Sequence, residues 1–196
     1  MLTRSLILGS TSPYRRELLQ RLSVPFTTAA PDIDETRLPA ESPADMVKRL
    51  SLGKAKAVAA THTDALIIGS DQCAVLREEV MGKPGTHANA VSQLRKASAQ
   101  TVTFLTGLCL YDSRDNSYQL DIVPFEVDFR TLTETEIENY LLKDQPYNCA
   151  GSFRSESLGV TLFKRMRGDD PSALIGLPLI RLSQMLRQAG VDLLAG

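Results

Sequence analysis

An apolar run, Leu6–Ile7–Leu8, stops at Gly9 and is followed at once by Ser10–Thr11–Ser12–Pro13–Tyr14–Arg15–Arg16. It reads as a strand feeding directly into a helix start. Ser12 is a good N-cap, and Pro13 suits the first helical position because the N–H it lacks would have been unpaired there. The spacing predicts a helix from Pro13, whose free N–H groups and positive dipole end face the same space as the hydroxyls of Ser10 and Ser12. Arg15 and Arg16 fall in its first turn, where cations oppose the dipole and are locally unfavourable unless an anion sits between them. A capped helix with two solvated arginines is the plain structural alternative.

With 196 residues the chain is one large domain or two closely joined lobes, and its 43% hydrophobic content can build a core without disulfides. Lys+Arg 22 against Asp+Glu 23 leaves a net charge of −1. No global field recruits nucleic acid or an anionic membrane, so any phosphate site must be local. Cys73, Cys109 and Cys149 fit neither a disulfide framework nor a zinc pattern and read as core thiols in a reducing compartment. Near the N-terminus, Arg4 is followed by an apolar run too short for a signal peptide or a membrane span, so cytoplasm is the expected location.

Further along, Val24–Pro25–Phe26 opens an extended segment to Ile33, followed by an acidic loop, Asp32–Ile33–Asp34–Glu35–Thr36. Such a run is usually solvated, although its carboxylates beside a phosphate site would suit a divalent cation. Ser42–Pro43 starts a second helix to about Ala60, with Met46, Val47, Leu50 and Val58 as apolar positions. Lys48, Arg49, Lys54 and Lys56 decorate it, and nothing intrinsic to the helix singles one out. Ala65–Gly69 is a buried strand with Ser70–Asp71–Gln72 at its end, where ligands commonly bind in open α/β sheets and where a turn-capping Asp is equally at home. A hairpin from Gln72 to Val80 turning at Arg77–Glu78–Glu79, a loop at Gly82–Lys83–Pro84 and a helix from Thr86, its cap, to Lys96 come next. Thr101–Tyr111 and Tyr118–Phe129 form an antiparallel hairpin, and Thr133 with Glu136 makes a capping box. Cys149–Gly159 reads as a loop able to close over a ligand, and Gly176–Leu177–Pro178 leads into the last helix, ending near Gly190.

The chain therefore offers a helix-start anion site with two arginines, lysines at 54 and 83, and carboxylates at Glu35 and Asp71. These are parts for metal-assisted phosphoryl chemistry. No Walker A loop, G-x-G-x-x-G or H-E-x-x-H occurs, and His62 and His87 are isolated, reading as surface or cap residues.

Seven segments, Ser10–Arg16, Asp34–Glu35–Thr36, Lys54–Ala55, Gly69–Ser70–Asp71–Gln72, Gly82–Lys83–Pro84, Cys149–Glu156 and Gly176–Leu177–Pro178–Leu179, stand in the order seen in Maf-like nucleotide pyrophosphatases, which the chain resembles along its whole length. Gln72 after Asp71 and the Ser155–Glu156 pair are similar to the branch acting on 7-methyl-GTP. Tyr14 stands where close members often have Trp, and Gly53 where a Glu commonly precedes the lysine. The resemblance implies an α/β protein with a mixed β-sheet and flanking helices, in two lobes around a central cleft, like the inosine triphosphatase fold, forming a single domain over residues 1–196.

It further implies that water attacks the α-phosphorus of a nucleoside triphosphate, releasing the monophosphate and pyrophosphate. Asp71 would accept the proton, and with Glu35 would position a divalent cation, Mg²⁺ or Mn²⁺. Lys54 and Lys83 would assist catalysis, and with Ser10, Ser12, Arg15 and Arg16 would hold the substrate. Tyr14, Gln72 and Glu156 would set base preference. The expected partner is a free nucleotide, with no nucleic acid or membrane, and a homodimer is compatible with the sequence. The rival expectations are hydrolysis of dTTP, UTP or CTP, and a non-catalytic nucleotide-sensing septum regulator.

Overall fold

The computed structural model describes residues 4–194. Its strands are β1 (Ser5–Gly9), β2 (Thr27–Ala29), β3 (Ala65–Leu76), β4 (Glu79–Met81), β5 (Thr101–Asp112), β6 (Tyr118–Phe129) and β7 (Phe163–Arg167). The helices are α1 (Pro13–Gln20), α2 (Pro43–Ala59), α3 (His87–Ala97), α4 (Glu134–Asp144), α5 (Pro171–Ile175) and α6 (Leu179–Gln188). The strands form one seven-stranded sheet in the order β2-β1-β3-β5-β6-β7, with β4 paired to β3. β1 runs parallel to β2 and β3, whereas β3–β4 and β6–β7 are antiparallel, so the sheet is mixed.

The chain divides into two compact units, one of residues 1–71, 106–123 and 170–196, the other of residues 72–105 and 124–169. In the first, strand periodicity sorts the core. Leu6 and Leu8, Leu66 and Ile68, and Leu108 and Leu110 share one apolar cluster with Leu18 and Leu19 of α1 and Leu182, Met185 and Leu186 of α6. The intervening Ile7, Ala65, Ile67, Cys109 and Tyr111 cluster instead with Ala55 and Val58 of α2. Successive side chains of a strand point to opposite faces, so a run with no polar interruption needs a helix layer on each side. The second unit packs Phe104, Phe129 and Phe163 edge-on around Phe153, geometry that aromatic quadrupoles favour.

Local signals set most boundaries. Ser12, Ser42 and Thr86 each accept a backbone N–H at the start of α1, α2 and α3, and Thr133 with Glu136 forms a complete capping box on α4. The β3–β4 hairpin turns at Arg77 and Glu78, both with positive φ. The short β2 lies within the extended segment expected after Val24. Two expectations change. β3 does not end at Gly69 but runs on to Leu76, so Asp71 lies within the strand rather than just past it. The Cys149–Gly159 segment is not a free loop: Gly151, Ser152 and Phe153 are buried, and short 3-10 turns lie at Ala150–Ser152 and Leu158–Leu162. Phe153 belongs to the aromatic core, which a glycine- and serine-rich composition does not reveal.

Candidate active site

Ser10 follows β1 and is buried, and its Oγ accepts the Ser12 N–H at 3.1 Å. Ser12 Oγ in turn accepts the Arg15 N–H at 3.4 Å, fixing the first turn of α1. Arg15 is half-buried, and its Nε donates to the Gly176 carbonyl at 2.8 Å. Burial draws the Arg15 guanidinium below its ordinary value, while the charges of Asp71 and Glu35 act in the opposite direction. Arg16 is exposed and lines a hollow of about 550 Å³ with Gln20, Val24, Pro25, Phe26, Thr27 and Thr28. Tyr14, beside them, is partly exposed.

Gly176 closes α5 with φ +121°, a conformation that glycine tolerates best. Its carbonyl accepts from Ser70 Oγ at 3.0 Å as well as from Arg15. Buried Asp170 organises this turn, accepting the Ser172 N–H at 3.0 Å, the Ser172 hydroxyl at 2.5 Å and, across the turn, the Ile180 N–H at 2.7 Å. The Gly176–Leu177–Pro178 motif thus serves to aim a carbonyl at Arg15.

Lys54 is the largest departure from the helix as read in sequence. It is 5% exposed, with Nζ at 2.7 Å from Asp71 Oδ1 and 3.0 Å from Glu35 Oε1. Helical spacing explains this once α2 is docked, because Val47, Ser51, Lys54 and Val58 recur on one face and all four are buried. Ser51 Oγ accepts the Asp71 N–H at 3.0 Å and donates to the Val47 carbonyl at 2.6 Å. Two glycines admit the helix: a Cβ on Gly69 would lie 2.1 Å from the Ser51 carbonyl oxygen, and one on Gly107 2.5 Å from that of Val47. Two polar residues on an apolar stripe were the available signal for Ser51 and Lys54.

Glu35 is 57% exposed, on the loop before α2. That loop is tied down around it, Thr36 N–H donating to Asp34 Oδ1 at 2.8 Å and Arg49 Nη2 to the Thr36 carbonyl at 3.1 Å. Arg49 also forks onto Glu41, at 2.5 and 2.8 Å, and holds its carboxyl down at about 2.

The remaining expected site residues belong to the second unit. Lys83 is exposed on a short loop whose flanking carbonyls, of Gly82 and Pro84, accept from Gln93 and Asn89 of α3 at 3.1 and 2.9 Å. Glu156 is exposed and accepts a long 3.3 Å bond from Ser155 Oγ. Burial raises the Cys149 thiol and Glu156 raises it further, while Arg154 and Lys83 ease it. Gln72 follows Asp71 on β3 and is half-buried. His87 bridges Tyr147 and Glu138, and His62 bonds the Val58 carbonyl, so neither joins the site residues.

The protein is thus of the α/β class, its mixed sheet carrying a capped helix start with a half-buried arginine and a strand carboxylate ion-paired to a buried lysine. The chain belongs to the Maf-like protein family, whose model matches residues 5–189. It is 56% identical over 190 residues to a 7-methyl-GTP pyrophosphatase of Nitrosococcus oceani, covering 97% of this chain and 96% of that protein. It is 53% identical over 192 residues to a 7-methyl-GTP pyrophosphatase of Colwellia psychrerythraea, covering 98% and 96%.

Proposed function

We propose that this protein is a nucleoside triphosphate pyrophosphatase that hydrolyses 7-methyl-GTP to 7-methyl-GMP and pyrophosphate, removing a modified nucleotide from the pool. The observation that carries the chemistry is the convergence of Asp71 and Glu35 on buried Lys54, in the same unit as Arg15 at the α1 start. The names of the two relatives support the choice of base.

In this reading a water oxygen attacks the α-phosphorus, the bond to the β-phosphate oxygen breaks, pyrophosphate leaves, and Asp71 takes the proton from the water. Ser10, Ser12, Arg15 and Arg16 bind the phosphates with Lys54 and Lys83. Among the described residues no three His, Cys, Asp or Glu side chains cluster as a metal cage. Mg²⁺ is commonly held by one or two carboxylates plus water and substrate phosphates, however, and the Asp71–Glu35 pair fits that donor set. A divalent cation held there would neutralise phosphate charge and polarise the phosphorus. Lys54, already between the two carboxylates, offsets their mutual repulsion and keeps them converged.

N7 methylation leaves the guanine ring positively charged, which favours an aromatic face and a carboxylate over neutral partners; in this reading Tyr14 and Glu156 supply them, and Gln72 is the third residue that sets base preference. The cation–π share is about 0.5–2 kcal/mol. At about 1.4 kcal/mol per tenfold that share alone is roughly 2- to 30-fold, and the charge of Glu156 adds to it toward a preference of about one or two orders of magnitude over GTP. Three free thiols and the near-zero net charge suit a cytoplasmic enzyme acting on a free nucleotide. No helix among the described residues is long and apolar enough to cross a membrane.

The deciding experiment incubates the protein with 7-methyl-GTP, GTP, dTTP, UTP and CTP in Mg²⁺ or Mn²⁺ and measures pyrophosphate. Preference for 7-methyl-GTP, with Asp71→Asn slower by roughly 10²-fold or more while folded, supports the reading. Faster pyrimidine turnover would transfer the activity to the pyrimidine triphosphates, and no release from any nucleotide would leave a sensor.

A further inference from the structure

One side chain holds both ends of the turn that carries Glu156. Asp144 is buried at the end of α4, and its Oδ1 accepts Arg154 Nη2 at 2.9 Å. Ser157 Oγ lies 2.8 Å from Oδ1 and 2.9 Å from Oδ2, and Tyr140 Oη donates to Oδ2 at 2.8 Å. The Arg154 N–H donates to Tyr140 Oη at 3.1 Å, and Arg154 Nη2 also reaches the Asp144 carbonyl. The Ser157 N–H closes onto the Arg154 carbonyl at 3.4 Å, which leaves Ser155 and Glu156 at the tip of a four-residue turn. Gly159 makes the exit tight, since a Cβ there would fall 2.2 Å from the Arg154 carbonyl oxygen.

A polar surface turn ordinarily keeps its conformational freedom, because fixing each residue costs backbone and side-chain entropy. Here a buried carboxylate is committed to its first and last residues. Burial alone would push the Asp144 carboxyl up, yet Arg154, Ser157 and Tyr140 together hold it below its ordinary range, so it remains an ionised anchor. The turn contains one exposed acid, and the anchor fixes where that acid stands.

We propose that Asp144 is a positioning residue for base selection: through Arg154 and Ser157 it clamps the 154–157 turn and thereby sets Glu156 against the positively charged base. This rests on the reading of Glu156 given above. A carboxylate that wanders keeps its charge but loses the fixed geometry through which it distinguishes a methylated ring from an unmethylated one.

The test measures kcat and KM for 7-methyl-GTP and GTP in the wild type, Glu156→Gln, Asp144→Asn and Ser157→Ala, with melting curves for each. Ser157→Ala removes one foot of the clamp but keeps the Asp144–Arg154 ion pair, so it remains informative if Asp144→Asn does not fold. The expected result is that Glu156→Gln narrows the 7-methyl-GTP to GTP ratio of kcat/KM, and that a folded clamp variant narrows it by about three- to tenfold, chiefly through a higher KM for 7-methyl-GTP. If Glu156→Gln narrows the ratio and every folded clamp variant keeps the wild-type ratio, whatever its melting temperature, Asp144 is structural only and the proposal fails while the reading of Glu156 stands. If Glu156→Gln leaves the ratio unchanged, that reading falls, and this proposal with it.

Discussion

Lys54 Nζ lies 2.7 Å from Asp71 Oδ1, with the lysine side chain 7% and the aspartate side chain 10% exposed. Removing one partner of a buried pair leaves the other charge uncompensated, which costs about 3–5 kcal/mol. The two removals are not equivalent, because Lys54 also contacts Glu35. Lys54→Met strands Asp71 and should lose about 3 kcal/mol, near the lower bound of that range, whereas Asp71→Asn leaves the ammonium with Glu35 and should lose less. Urea unfolding of both variants checks the order, and an equal or larger loss in Asp71→Asn would mean that Glu35 does not compensate.

The two arginines of α1 should separate. On sequence alone both look dispensable for stability, since both oppose the dipole, but Arg15 donates to the Gly176 carbonyl and Arg16 is exposed. Arg15→Ala should cost about 1.5–3 kcal/mol, the value of a hydrogen bond from a charged donor. Arg16→Ala should leave the melting temperature unchanged or slightly higher. Both should lower kcat/KM, and a normal kcat/KM in Arg16→Ala would remove Arg16 from the substrate site.

Gly69 should admit no side chain. Its Cβ would stand 2.1 Å from the Ser51 carbonyl oxygen and 2.9 Å from the Ala55 nitrogen, so α2 would have to lift. Overpacking of this kind costs about 1–3 kcal/mol. Lifting α2 also draws Lys54 from Asp71, so Gly69→Ala should lose turnover beyond its loss of stability. Gly82→Ala meets nothing within 4 Å and serves as the control for stability.

Acid should weaken the loop that carries Glu35. The Arg49 guanidinium depresses the Glu41 carboxyl from 4.5 to about 2. A depressed carboxyl contributes stability that is fully present above its unfolded value and is lost as pH falls through the folded one, here between about 4.5 and about 2. Melting temperature measured across that window should fall less steeply in Glu41→Gln than in the wild type. Identical slopes would show that the pair does not couple to folding.

Much of the fold was legible because the forces that set it are local. A side-chain oxygen before a helix either reaches the N–H three residues on or it does not, and Ser12, Ser42, Thr86 and Thr133 all do. The unbroken apolar run Ala65–Ile68 needs a partner layer on both faces wherever the chain finds one. The end of β3 was not legible in the same way. Gly69, Ser70 and Asp71 look like a strand terminus, yet β3 continues to Leu76 and pairs with β4 at Ala74–Leu76, so ladder hydrogen bonds outweigh local propensity.

By itself the sequence determined the start of α1, the caps and the two-faced strands. Only the tertiary structure decided that Lys54, 17 residues from Asp71, is buried against it while Lys48 on the same helix stays exposed. The reason is physical. Burying an ammonium costs several kcal/mol unless carboxylates meet it, and here they meet it because Gly69 and Gly107 let α2 settle onto the sheet. The same holds for Asp144, whose grip on Arg154 and Ser157 depends on α4 ending where the 154–157 turn passes, a coincidence in space that no spacing along the chain encodes.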